Sequence, residues 1–197
     1  SHEDGLENYD IRTDKKAYRS LAGLRSSQGK DASLAADLRD GFVRGEDALK
    51  GRVPGLKVEY NTALRIPEVI APEVIRGRSF LANASGARRE DALKGFLREN
   101  SDLFGMRDDQ VSSLKNIADY TNPDGGLSFV ELQQEINGVQ VFMGEVKAGF
   151  GRNGELVRVI NGLAPGIDAS NVPSDFGDPA DAVAAAAANI GHQNTLA

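Results

Sequence analysis

Apolar positions change their period twice along this chain. Between Asp14 and Arg25, the residues Ala17, Tyr18, Leu21 and Leu24 share one helical stripe. Leu34, Leu38 and Phe42 then recur at every fourth position behind an N-cap candidate, Asp31 or Ser33, which predicts a second helix weakened at its end by Gly41 and Gly45. From Val53 to Ile75 the helical period is lost. Pro54, Pro67 and Pro72 punctuate short β-prone runs at Leu56–Tyr60, Ala63–Ile66 and Val69–Ala71. Proline cannot donate to a sheet ladder, so such runs belong at edges or in arms, and an extended, strand-containing segment is expected here rather than a compact unit. Arg88 to Phe104 is the strongest helical pattern. Leu93, Phe96, Leu97, Asn100, Leu103 and Phe104 line one face, Arg89, Glu90, Lys94, Arg98 and Asp102 the other, and Gly105 stands ready to terminate.

Beyond Gly105 the period shortens to two. Leu114–Thr121 is followed by the turn Asn122-Pro123-Asp124-Gly125-Gly126, and Leu127–Ile136 by Asn137-Gly138, the pair suited to a type I′ hairpin. Val139–Phe150 then reaches Gly151-Arg152-Asn153-Gly154, and Glu155–Ile160 closes the series. The expected fold class is therefore α+β: a long helix packed on an antiparallel β-meander, preceded by a helical and extended N-terminal segment. Gly162–Gly177 has linker composition. Asp178-Pro179 supplies an N-cap and first-turn pair for a helix over Pro179–Ile190, ended by Gly191. With so little chain after it, that helix is expected to open a further domain. The expected organisation is 1–78, helices and an extended arm; 79–168, the α+β domain; and 169–197, the linker and the first helix of the further domain. The hexapeptide Glu-Asp-Ala-Leu-Lys-Gly occurs at 46–51 and again at 90–95, but the flanks differ and it is read as coincidence.

Composition narrows the chemistry. With 197 residues, 40% of them hydrophobic, the chain supports one ordinary core. Its 23 basic and 29 acidic residues leave a net charge of -6 without a local basic cluster, which argues against nucleic acid as a partner. There are no cysteines, and the two histidines, His2 and His192, sit near opposite ends. Neither H-E-x-x-H nor any other close ligand spacing occurs, and no histidine stands near a nucleophile, so no catalytic and no metal-binding residue is assigned. The motif G-x-G-x-x-G and the P-loop are also missing. No apolar run approaches the roughly 20 residues of a membrane span, and the polar stretch Ser1–Asp10 is not a signal peptide. An enzymatic reading would need Glu131 and Glu135, which share a strand face with Gln133, as paired carboxylates, although a solvated face is the simpler account. Gln133, Gln134 and Asn137 form an amide-rich patch beside the hairpin turn. It serves either cross-strand bonding and turn chemistry or the capture of a partner's backbone on an exposed sheet surface.

The stretch Glu90–Gly162 resembles the fungalysin/thermolysin propeptide region, or FTP. The likeness runs from Ala92-Leu93-Lys94-Gly95-Phe96-Leu97 and Leu103-Phe104-Gly105-Met106, through the hairpin Leu132 to Glu145, to Gly154-Glu155-Leu156-Val157-Arg158-Val159. Its specific core is a glutamine followed by Asn137-Gly138-Val139-x-Val141-Phe142-x-Gly144. Asn8–Arg12 and Val53–Val58 are similar to flanking segments of fungalysin-like precursors, and Asp178–Val183 resembles the first helix of a PepSY domain. The resemblance implies a non-catalytic propeptide that assists folding of a secreted zinc metalloprotease and inhibits it until proteolytic removal. It implies secretion or a periplasmic location, the metalloprotease catalytic domain as partner, and zinc only in that domain, with no cofactor in this chain. The motif positions, and so the partner-contact candidates, are Gln133, Gln134, Asn137, Gly138, Val141, Phe142 and Gly144. The alternative is a stand-alone FTP-type binding module with no protease attached.

Overall fold

The structure is a computed structural model that describes residues 15–16, 19, 32–73, 80–124, 126–167, 169–172, 174–175 and 177–189. Two compact units are distinguished, one spanning Ala32–Val172 and the other joining 1–31 with 173–197. The helix expected over Asp14–Arg25 lies, apart from Lys15, Lys16 and Arg19, outside the described residues.

Helix α1 (Ala32–Arg52) opens the larger unit and runs straight through Gly41 and Gly45 instead of ending near them. Tertiary contact explains why. A Cβ on Gly45 would lie 2.4 Å from the Leu103 backbone nitrogen, so the bare backbone lets α1 pass against the next helical layer. The long helix expected over Arg88–Phe104 is instead two pieces, α2 (Arg89–Glu99) and α3 (Ser101–Phe104). The break falls at Asn100, whose backbone leaves the helical region at φ -120°. Its buried side chain donates from Nδ2 to the Phe96 carbonyl at 2.7 Å, and its Oδ1 accepts from Arg52 of α1. Asparagine competes with the backbone for such partners and so interrupts a helix that its apolar neighbours would continue. Gly105 ends α3 in the left-handed conformation, and the short α4 (Asp108–Ser113) follows, its Arg107 N–H capped by Gln110 Oε1 at 2.9 Å.

Six strands make one antiparallel sheet: β1 (Leu56–Tyr60), β2 (Pro67–Pro72), β3 (Lys115–Thr121), β4 (Ser128–Ile136), β5 (Val139–Phe150) and β6 (Leu156–Asn161), ordered β1-β2-β6-β5-β4-β3. The meander β3–β6 follows the sequence expectation closely. The strand-containing segment expected around the prolines adds two strands beyond β6: β1 is the expected run Leu56–Tyr60 and β2 contains Val69–Ala71, whereas Ala63–Ile66 forms a turn. Pro67 and Pro72 stand at the ends of β2, and between them only Val69 and Ile70 pair with β6, opposite Ile160 and Val159. The prolines thus shorten the ladder without preventing it.

Alternation gives the sheet two unlike faces. Val130, Leu132, Val146, Ala148 and Val159 are buried and meet Leu93, Leu97, Leu103 and Phe104 in the core, with Phe96 and Phe104 edge to face at 6.0 Å. Burying each Val, Leu or Phe side chain among these stabilises the fold by about 1.5–3 kcal/mol. Helix α2 packs against β4, and α1 against α3 and β1. The opposite face carries Phe129, Glu131, Gln133, Glu145, Lys147 and Ile160, and among the described residues no helix covers it. After β6, Ala164, Ile167 and Val172 of the segment expected to be a linker accept hydrogen bonds from Gln134, Gln110 and Asn137. Helix α5 (Pro179–Asn189) belongs to the other unit and is capped as the sequence suggests, with Ala180 N–H donating to Asp178 Oδ1 at 2.8 Å. No helix among the described residues is long and apolar enough to cross a membrane.

The Gly45 contact gives a paired test. Gly45→Ala is expected to destabilise the chain by about 1–3 kcal/mol, because the new methyl group overlaps backbone that cannot easily yield. Gly51→Ala, in the same helix with nothing within 4 Å of its Cβ position, should be neutral or stabilise by up to about 1 kcal/mol. Urea unfolding of both variants measures the difference.

Candidate functional site

The hairpin β4–β5 departs from a regular ladder at one place. Asn137 and Gly138 close it with φ of 50° and 81°, both left-handed as a type I′ turn needs, and Ile136 pairs with Val139 and Glu135 with Gln140. The next pair is Gln133 with Glu145, so Gln134 alone on β4 stands opposite residues 141–144 on β5. Those residues, Val141-Phe142-Met143-Gly144, loop out as a wide bulge. The sequence carries a signal for it, since three successive apolar residues cannot all obey a two-residue period.

Gln133 fixes the shape of the bulge. Its side chain lies on the helix-free face yet is only 4% exposed, because the bulge folds over it. Nε2 donates to the carbonyls of Gln134, Val141 and Gly144 at 2.9, 3.0 and 3.1 Å, so two N–H groups are shared among three acceptors. A Cβ on Gly144 would lie 2.7 Å from that of Val141, which restricts the position to glycine. Met143 is held at φ 56°, a left-handed conformation that costs about 1–2 kcal/mol for a residue with a side chain. This ordered and partly strained loop presents its two large apolar side chains to solvent: Phe142 is 91% exposed and Met143 73%.

The other amides of the motif face the opposite way. Gln134 exchanges two hydrogen bonds with Ala164, Nε2 to its carbonyl at 3.1 Å and Oε1 from its N–H at 2.9 Å. Asn137 Nδ2 donates to the Val172 carbonyl at 3.1 Å, and Gln110 Nε2 to the Ile167 carbonyl at 2.6 Å. Together they tie Ala164, Ile167 and Val172 to the turn end of the sheet. Gln133 and Gln134, which the sequence offered to a partner's backbone, therefore bond to carbonyls and an N–H of their own chain. Gly138 and Val141 serve the turn and the bulge, and Phe142 is the motif residue with a large exposed side chain.

Beside the bulge the helix-free face sinks into a concavity of about 570 Å³, lined among others by Glu68, Glu131, Phe142, Met143, Glu145 and Lys147. Lys147 Nζ pairs with Glu131 at 2.9 Å, and that hydrogen bond holds the ammonium pKa above its ordinary value. Glu131 is thus one half of an ion pair facing β5 rather than a partner for Glu135. Sequence reasoning passed over Met143, Glu68 and Glu145. Met143 was detectable as the third residue of the apolar run, whereas the two glutamates meet only through strand order. Comparison with known families places the Fungalysin/Thermolysin Propeptide Motif on residues 112–163, which take in the end of α4, the whole meander and the bulge. That motif belongs to propeptides, not to a catalytic domain. No curated protein matches the chain.

Replacing Gln133 by glutamate tests the organising role. The carboxylate would face three carbonyls it cannot donate to, so its folded-state pKa must rise, and the added instability must grow as pH climbs through that raised value. Gln133→Glu is expected to lose about 2 kcal/mol or more at pH 7, and less at pH 4, where the protonated acid can donate once. Urea unfolding of variant and parent chain at the two pH values checks the sign.

Proposed function

We propose that this chain is the non-catalytic propeptide region of a secreted, fungalysin-type zinc metalloprotease, assisting the folding of the catalytic domain and holding it inactive until proteolysis removes it. The observation that supports this best is where the propeptide motif falls. Its polar residues tie the hairpin, the bulge and the strap together internally, and the outcome is a fixed, outward-facing Phe142. Such a module needs no reactive group, because inhibition by a folded partner requires only surface complementarity. Covalent linkage raises the effective concentration of the module to the millimolar range for short linkers, and cleavage removes that advantage. In this scheme zinc belongs to the catalytic domain, the protein is exported, and α5 begins a PepSY-like domain after the propeptide module.

Two measurements with the mature fungalysin-type protease of the same source test this. Adding the chain should inhibit peptide hydrolysis stoichiometrically at micromolar concentration, with activity returning once the chain is digested. Adding it during refolding of the denatured protease should raise the recovered activity. Failure of both would exclude the propeptide role and leave a stand-alone binding module.

A further inference from the structure

We infer that the helix-free face around the β5 bulge is the surface that docks on the catalytic domain, and that it recognises an apolar cavity with a cationic rim: Phe142 and Met143 enter the cavity while Glu68 and Glu145 pair with Arg or Lys beside it. This rests on the propeptide role proposed above.

Three features single out this face. First, the other side of the sheet is covered by helices, so large apolar side chains displayed by a fixed backbone occur here. Phe142 and Met143 gain little by their own burial in this chain, yet a hydrogen-bonded network and a left-handed Met143 hold them outward. Apolar side chains presented in this way mark association surfaces. Second, the concavity carries an unbalanced charge. Lys147 is matched by Glu131, whereas Glu68 accepts one hydrogen bond from the neutral Asn61 amide at 2.9 Å, and neither Glu68 nor Glu145 forms an ion pair among the described residues. Two carboxylates left over beside one matched pair favour a cationic partner and disfavour an acidic one. Third, Ile160 is 42% exposed in the same concavity. An arginine entering the concavity can therefore lay its methylene stem on an apolar wall while its guanidinium pairs with the acids that line it. Arginine fits the site better than lysine because its fork can engage two carboxylates at once.

The docking surface separates from the underlying fold because Phe142 contributes almost nothing to the core. Phe142→Ala should leave the unfolding midpoint of the full chain unchanged but raise its inhibition constant against the mature protease about thirtyfold or more, as truncation of a buried aromatic anchor does. The double replacement Glu68→Lys and Glu145→Lys should weaken inhibition about tenfold or more, and it should abolish the loss of affinity that rising salt causes in the parent chain. Ile117→Ala, which trims an exposed apolar residue at the far edge strand, should change nothing. Full potency in both Phe142→Ala and the double variant, with the parent chain inhibiting, would overturn this docking surface and leave the propeptide role standing. A parent chain that neither inhibits nor binds the protease would overturn both. Dimerisation of the parent chain that Phe142→Ala abolishes would reassign the face to contact between copies and overturn the proposal.

Discussion

The carboxamide of Gln133 governs the shape of the hairpin on which the candidate site depends. Where residues 141–144 leave the ladder, their carbonyls lose strand partners, and buried carbonyls without partners would open the loop to water. One side-chain amide collects the carbonyls of Val141 and Gly144 together with that of Gln134. The loop is thereby closed over its own donor, Gln133 becomes buried on a face that is otherwise open, and Phe142 is directed outward. Leucine at position 133 would suit the burial but supply no donor, and glutamate would supply charge of the wrong sign. Glutamine has both the donor and the neutrality the place requires.

The rest of the unit supports that hairpin from behind. A one-sided sheet needs its apolar face covered, and α2 and α3 do so through Leu93, Leu97, Leu103 and Phe104, with Leu49 of α1 joining the same core. Lys94 of α2 binds the Leu114 carbonyl at 2.9 Å while pairing with Glu90, anchoring the entry to β3. At the turn end, Gln110, Gln134 and Asn137 hold the chain that leaves β6 as far as Val172. Polar side chains thus fix both ends of the meander, and Phe142 and Met143 stand exposed on the bulge between them.

Several elements were legible in the sequence because their causes are local. The strand boundaries of β3–β6 follow from period-two alternation and from turn residues whose preferred φ angles select them, Asn137-Gly138 above all. The cap at Asp178 follows from a side chain reaching its own backbone two residues on. The specific core of the propeptide likeness is also a contiguous run of residues, and that run builds the turn and the bulge.

Other features depend on partners distant in sequence, and these only the tertiary structure decided. Asn100 looked like one more residue on a helical face, until Arg52 of another helix and the Phe96 carbonyl claimed its side chain and split the helix. Gly45 looked like a helix breaker, yet it is the point where α1 passes Leu103. Pro67 and Pro72 suggested a sheet edge or an arm, and it was the pairing of Val69 and Ile70 with β6 that placed β2 in the sheet. The placement of Glu68 and Glu145 on one concavity comes from strand order, since β2 reaches β5 through β6. The sequence by itself determined periodicity, turns and capping, which each residue settles with neighbours a few positions away. Only the folded chain determined which side chains share a surface, because that depends on elements brought together by the core.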